Sequence, residues 1–194
     1  MKNISIYHVG SEHVAEVLPY VLNFRRKLFP MLDPNQVPKD LAVFEYVYLQ
    51  NSAGTFLQAR TEDGRLIGVI GMLNYDYRFP HVDIDARKTV EVARLFVDPH
   101  YRRTGLGTAL FQSLLVVARE KQIERLYLHT HPFLEGAYEF WVRQGFRLIE
   151  YCDESGFPTM HMELMVSGLK DLNASDEDLK LGSMPSIEVC KLVK

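Results

Sequence analysis

Seven residues, Arg102-Arg103-Thr104-Gly105-Leu106-Gly107-Thr108, constrain this chain more than any others. An apolar run from Val90 to Val97 precedes them and a helical pattern follows. Glycines at 105 and 107 let the main chain curl tightly without Cβ clashes, so successive N–H groups point inward beside the positive end of the next helix's dipole. Arg102 and Arg103 add formal charge beside that nest, as a pyrophosphate requires. Two familiar phosphate loops fit poorly. The Walker pattern Gly-x4-Gly-Lys-Ser/Thr occurs nowhere in the sequence. A dinucleotide fingerprint would need a glycine where Leu110 stands, and a turn containing Pro99 separates the strand from the first glycine.

At 194 residues and 47% hydrophobic composition the chain has enough material for one domain with a substantial core. A net charge of −3 and the absence of a basic stripe interleaved with aromatics argue against a nucleic-acid partner. Only Cys152 and Cys190 occur, too few for a secreted disulfide framework and too far apart for a zinc knuckle, so a reducing cytoplasm is expected. His129 and His131 share a strand face, but no third ligand stands at a telling spacing, and no metal is expected. No run approaches the roughly 18 apolar residues of a membrane span, and the N-terminus lacks a signal core.

Periodicity predicts a strand over 4–9, a helix opening at Gly10-Ser11 and reaching Leu28 with a break near Pro19, and a second helix capped by Asp40 and running to Leu49. A hairpin follows, Thr55–Thr61 and Leu66–Leu73 around the turn 62–65, then a long polar and aromatic loop, Asn74–Lys88. The strand Val90–Val97 holds an acid. With regular pleating Glu91 shares a face with Ala93, Leu95 and Val97, while Val92, Arg94 and Phe96 face the other way. A helix Thr108–Lys121, a strand Arg125–Thr130, a helix Gly136–Gln144 and a hairpin Phe146–Cys152 with Met160–Val166 complete the order β-α-α-β-β-β-α-β-α-β-β. Residues 1–166 read as one domain. Residues 167–194 read as an extension, with a short helix starting at Ser175 and a segment Ile187–Val193 that suits an edge strand or a homodimer contact.

Arg102, Gly105 and Gly107 satisfy the pattern Arg/Gln-x-x-Gly-x-Gly/Ala. With Leu95-Phe96-Val97-Asp98-Pro99 ahead and Phe140-Trp141-Val142-Arg143-Gln144-Gly145-Phe146 behind, the chain resembles the GNAT superfamily of acyl-CoA-dependent N-acyltransferases, specifically from about Thr89 to Tyr151. The resemblance implies a mixed α/β fold, a β-sheet flanked by helices in which two central parallel strands, here Val90–Val97 and Arg125–Thr130, splay apart to admit acyl-CoA. It implies that main-chain groups of Leu95, Phe96 and Val97 bond the pantetheine arm. The amides from Arg102 and Arg103 through Thr104, Gly105, Leu106, Gly107 and Thr108 would hold the pyrophosphate.

The implied reaction is transfer of an acetyl group from acetyl-CoA to an amine, by direct attack in a ternary complex. An amine is mostly protonated near neutral pH, so a base is needed. Glu91 matches the family's strand position for a catalytic glutamate, and its apolar neighbours predict an upward pKa shift; a salt bridge to Arg94 or Arg87 is the other reading of this residue. An N–H near Phe96 would stabilise the oxyanion. The family often carries Tyr where this chain has Trp141, and an indole N–H is no acid. Tyr138, three residues earlier on the same helical side, is the candidate acid, with packing as its other reading. Leu134 is a second departure, since relatives often carry Asn there.

The acceptor pocket is expected from the loops 30–39 and 74–88 and the turn 153–158. Tyr75, Tyr77 and Phe79 would form its walls, and Asp76, Asp83 and Asp85 would attract a cation against the opposing charge of Arg78, Arg87 and Lys88. An N-acetyltransferase is the first reading. A catalytically weak acyl-CoA sensor, suggested by Trp141, and a nucleotide-dependent oxidoreductase are its rivals.

Overall fold

The structure, a computed structural model, describes residues 3–154 and 156–166. The expected helix from Ser175 and the segment Ile187–Val193 lie outside the described residues. Seven strands form one sheet in the order β1-β2-β3-β4-β5-β7-β6: β1 (Ile4–His8), β2 (Thr55–Thr61), β3 (Leu66–Asn74), β4 (Thr89–Val97), β5 (Arg125–Thr130), β6 (Arg147–Glu154) and β7 (Phe157–Met165). Every neighbouring pair is antiparallel except β4 and β5.

Helices cover both faces. On one face lie α3 (Leu106–Glu120) and α4 (Ala137–Arg143), and Leu110, Phe111 and Leu114 of α3 are fully buried in the larger core with Val90, Val92, Leu126 and Leu128. Each such side chain contributes about 1.5–3 kcal/mol relative to exposure. The opposite face carries α1 (Val14–Leu28), the short helix α2 (Lys39–Ala42) and a π-helical turn over Glu45–Gln50, which bury Val17, Val21, Phe24, Leu41 and Tyr48 against Phe56, Val69 and Phe96.

The first helix runs unbroken through Pro19. The break falls earlier, where a 3-10 turn over Ser11–His13 precedes it. Asp40 is not a cap but lies inside α2, and Pro38 takes the position before the helix. Its carboxylate has longer-range partners: it accepts from Arg94 Nη2 at 2.7 Å, Arg94 Nε at 3.0 Å and the Tyr48 hydroxyl at 2.7 Å.

Arg94 makes this contact from a β-bulge, not from regular strand. Gly71 pairs with Ala93 but Val69 pairs with Phe96, so β4 carries one residue more than β3 across this stretch. At the bulge Arg94 takes φ 60°, a left-handed conformation that costs a non-glycine residue about 1–2 kcal/mol. The bulge breaks the expected alternation. Leu95 and Val97 join Val90 and Val92 on the α3 side, while Phe96 stacks on Phe24 of α1 at 5.4 Å.

Removing the Asp40 carboxylate leaves a half-buried guanidinium and a buried hydroxyl without their acceptor. Asp40→Ala is expected to lower stability in urea unfolding by about 2–4 kcal/mol. Asp83→Ala, at an exposed loop position, should stay within about 0.5 kcal/mol.

Candidate active site

Parallel pairing between β4 and β5 covers Thr89–Arg125, Val90–Leu126 and Glu91–Tyr127 and then stops, although β4 continues to Val97 and β5 to Thr130. The two strands therefore part in mid-sheet, beside the bulge at Arg94. Main-chain groups on the β5 side of β4 lose their ladder partners there and are available to a ligand. Of the three residues expected along that cleft, Val97 already uses part of its carbonyl, which accepts from Arg102 Nε at 3.2 Å.

The glycine loop follows directly. Asp98 receives the His100 N–H at 2.9 Å and is paired with Arg65 at 2.7 Å, which fixes the 3-10 turn Pro99–Tyr101. Arg103 and Gly105 then take φ 61° and 91°, and α3 begins at Leu106. Glycine is required at 105, where a Cβ would be strained at that φ. The first main-chain bond from α3 back into the loop runs from Ala109 N–H to the Gly105 carbonyl at 2.9 Å. The amides of Arg103 through Thr108 have no main-chain acceptor among the described residues, and they gather at the positive end of a fifteen-residue helix. The guanidinium-bearing residues Arg102 and Arg103 are exposed beside them.

Glu91 lies where the strands part, only 4% exposed, on the face opposite α3. Its carboxylate is clamped by Arg78, with Nη1 to Oε2 at 2.8 Å and Nη2 to Oε1 at 2.7 Å. His129 Nδ1 stands 3.0 Å from Oε1, off the line of a good hydrogen bond. Burial acts to raise this carboxyl, as its apolar neighbours suggested. The contacts and charges of His129 and Arg78 outweigh it and hold the group down at about 2. The upward shift is thus corrected: Glu91 is an ionised, paired carboxylate. Its partner is neither Arg94, which is taken by Asp40, nor Arg87, which is paired with Asp85 at 2.7 Å.

Arg78 and His129 are the site residues that sequence reasoning missed. Alternation along β5 was the available signal, since it puts Tyr127, His129 and His131 on one face. Arg78 sits in an irregular loop, where no spacing rule reaches it.

The aromatic residues of that loop divide. Tyr75 is 5% exposed and packs on Tyr127 at 4.5 Å, so it belongs to a small core; Tyr77 is 52% exposed. Phe79 lies with its ring 5.5 Å from His129 and 4.8 Å from His161, and Arg78 lies over it at 4.8 Å. Phe29, at the end of α1, meets His131 and Phe133 from the other side. Two of the three loop aspartates are already neutralised, Asp76 by Arg78 and Asp85 by Arg87 and Arg125. Tyr138, in the first turn of α4, is half-buried against the larger core, and Trp141 is packed edge-on against Phe111 and Phe146.

Beyond Phe79 the loop meets the β6–β7 hairpin. Cys152 Sγ lies 3.2 Å from His81 Nε2 and 3.4 Å from His161 Nε2, and His161 Nδ1 is 2.6 Å from the Tyr127 hydroxyl. Burial and the Glu154 carboxylate push the Cys152 thiol up to about 11, and burial, then the nearby His129, lowers His161 to about 4.

Comparison with known proteins supplies the family. An uncharacterised N-acetyltransferase of Methanocaldococcus jannaschii is 34% identical over 64 residues, covering 33% of this chain and 28% of that protein. One from Mycobacterium bovis is 28% identical over 101 residues, covering 52% and 58%. The chain thus matches less than two thirds of the length of either relative. Among solved structures, a Staphylococcus aureus acetyltransferase of the GNAT family superposes with a TM-score of 0.65 at 23% identity, over 84% of this chain and 99% of that one. A Salmonella typhimurium acetyltransferase holding acetyl-CoA gives 0.65 at 19%, over 89% and 99%. Spermidine N-acetyltransferase of Vibrio cholerae, in complex with CoA and spermine, gives 0.63 at 13%, over 85% and 96%. Residues 18–146 match the Acetyltransferase (GNAT) family, and the chain belongs to it.

Proposed function

We propose that this protein is an N-acetyltransferase that passes the acetyl group of acetyl-CoA directly to an amine acceptor in a ternary complex. The observation that carries the reading is the parting of β4 from β5 after Glu91 and Tyr127, next to a loop whose free amides converge at the start of α3. The pantetheine arm would lie along Leu95, Phe96 and Val97, with the pyrophosphate on the amides from Arg103 to Thr108 and the Arg102 side chain beside it. The relatives named as N-acetyltransferases, and the Vibrio cholerae structure with CoA and spermine, support acetyl-CoA as donor and an amine as acceptor. That donor, and a chain with two cysteines, suit a cytoplasmic enzyme.

Glu91 and His129 form the proton-accepting pair in this reading. With its carboxyl held near 2, Glu91 is too weak a base to keep an amine's proton. It suits instead holding the ammonium and orienting His129, whose imidazole receives the proton. The Arg78 guanidinium, half-exposed on its loop, occupies the place a cationic acceptor would take on Glu91. Nitrogen then attacks the thioester carbonyl, an N–H near Phe96 steadies the oxyanion, and as the C–S bond breaks the nitrogen gives its second proton to solvent and the departing thiolate takes one from Tyr138.

The direct test is release of free thiol from acetyl-CoA on addition of an amine panel that includes polyamines and amino acids. Turnover is expected with at least one acceptor. Glu91→Gln and His129→Gln should each lower kcat about 100-fold or more with CoA affinity unchanged, and the double variant should fall no further, since the two act as a unit. Binding of CoA without turnover on any acceptor would favour the sensor, and stabilisation by NAD(P) but not CoA the oxidoreductase. Gly107→Glu, which adds a charged side chain at a buried position in the first turn of α3, should weaken CoA binding at least about 10-fold in calorimetry, with circular dichroism checking that the variant folds.

Acid titration checks the charge state assigned to Glu91. A carboxyl lowered from 4.5 to about 2 contributes stability that is fully present above its unfolded value and is lost as pH falls through the folded one. Wild type should therefore exceed Glu91→Gln in stability at pH 7, and the gap should close between about pH 4.5 and 2.

A further inference from the structure

Four side chains from three separate segments converge beyond Phe79, and none is assigned a chemical step in the acetyl-transfer reading. Cys152 and Glu154 alternate along β6, His161 crosses over from β7, and His81 comes from the loop 75–88. Cys152 Sγ is 3.2 Å from His81 Nε2, 3.3 Å from Glu154 Oε1 and 3.4 Å from His161 Nε2. The same Glu154 oxygen is 2.8 Å from His81 Nε2 and 3.3 Å from His161 Nε2. All four donor atoms lie within 4.8 Å of one another.

Around a tetrahedral zinc ion, with bonds of about 2.0–2.1 Å to nitrogen or oxygen and about 2.3 Å to a single sulfur, neighbouring ligand atoms stand about 3.3–3.6 Å apart. Five of the six separations, 2.8–3.4 Å, match that spacing or fall short by up to about half an ångström, as hydrogen bonds among the same atoms require, and the sixth, between the two histidine nitrogens, lies within 4.8 Å. We propose that His81, Cys152, Glu154 and His161 bind a divalent transition-metal ion, with zinc the preferred one.

The donor set argues for that class. A thiol and two imidazoles are poor ligands for magnesium or calcium, which take oxygen, and suit a borderline-soft ion. Outer contacts argue for it as well. His161 is 0% exposed, and Tyr127 at its Nδ1 fixes the ring so that Nε2 faces the other three donors. Metal-bound histidines are held in this way through their second nitrogen. In the metal-free form the Tyr127 hydroxyl donates to Nδ1 and Nε2 carries the proton. With metal bound, the proton sits on Nδ1 and is donated to the Tyr127 oxygen, Nε2 offers its lone pair, and the Cys152 thiol gives its proton to solvent. His81 is exposed and leaves a side open for entry.

Cobalt tests this without any assay of activity. The full chain, purified without a polyhistidine tag and stripped of metal, should take up one equivalent of Co2+ with tetrahedral ligand-field bands and thiolate-to-cobalt charge transfer, and zinc should displace it. Cys152→Ser should abolish the charge transfer and weaken binding on the order of 100-fold, while Cys190→Ser should keep both. Tyr127→Phe should weaken binding about 10-fold. Glu154→Gln serves if Cys152→Ser does not fold by circular dichroism; it should weaken binding and keep the charge transfer. The proposal falls if wild type shows no charge transfer, if Cys152→Ser binds as tightly as wild type, or if Cys190→Ser is the variant that loses the signal. A purely hydrogen-bonded cluster would give the first of these results.

Discussion

Everything at the candidate site depends on one irregularity in β4: an extra residue at Arg94, held in a left-handed conformation by two hydrogen bonds to Asp40. A regular strand would keep its ladder with β5 to the end, as antiparallel β5 and β7 do over six successive pairs, and no cleft would open in mid-sheet. The bulge turns the strand so that pairing with β3 survives on one side while pairing with β5 ends after Glu91. Its conformational cost falls on a residue that gains a paired carboxylate in return. The contact also fastens α2 to the strand, so the cover on that face and the opening in the sheet have a common origin.

Glu91 shows how two opposing forces on one carboxyl are resolved. Its burial alone would favour the neutral acid, the state in which a carboxylic acid can exchange protons near neutral pH. Arg78 on both oxygens and His129 beside one of them reverse that outcome. A carboxylate so stabilised acts as a fixed negative charge, suited to attract and orient a cation. His129 stands beside it, 3.0 Å from Oε1 and partly exposed. In the proposed reaction, proton transfer is assigned to the pair and not to the glutamate alone.

Much of this was legible in the sequence. Alternation and turn chemistry located β5 at Arg125–Thr130 to the residue, and the glycine spacing located the loop that opens α3. The bulge was not legible, because Arg94 is neither glycine nor proline and its partner is 54 residues away. That single omission misassigned the faces of Leu95, Phe96 and Val97. Asp40 has the composition of a helix cap, and only the folded chain shows that its carboxylate is used elsewhere. The partners of Glu91 were missed for a similar reason: which of several arginines reaches a buried acid is decided by the path of the loop 75–88, and that path has no periodicity to read. The cluster beyond Phe79 left a faint trace, Cys-x-Glu on one strand with a histidine across a tight hairpin, but its fourth member lies 71 residues before the cysteine.

Among the contacts that hold the loop 75–88, beside Tyr75 on Tyr127 and Asp85 on Arg125, two stand three residues apart, Arg78 on Glu91 and His81 on the β6–β7 hairpin. Three residues of extended chain reach at most about 10 Å. Arg78 can thus leave Glu91 for an incoming cation by a rotation of its own side chain, with the main chain still anchored at His81. A loop held only by the Arg78 contact would lose its order when that contact was exchanged, and the acceptor would have to supply the entropy of re-forming it, on the order of 1–2 kcal/mol per residue. Anchoring the neighbouring residue removes most of that cost. In the proposed reaction, the hairpin contact would therefore keep Phe79 in place at the moment the Glu91 carboxylate changes partners.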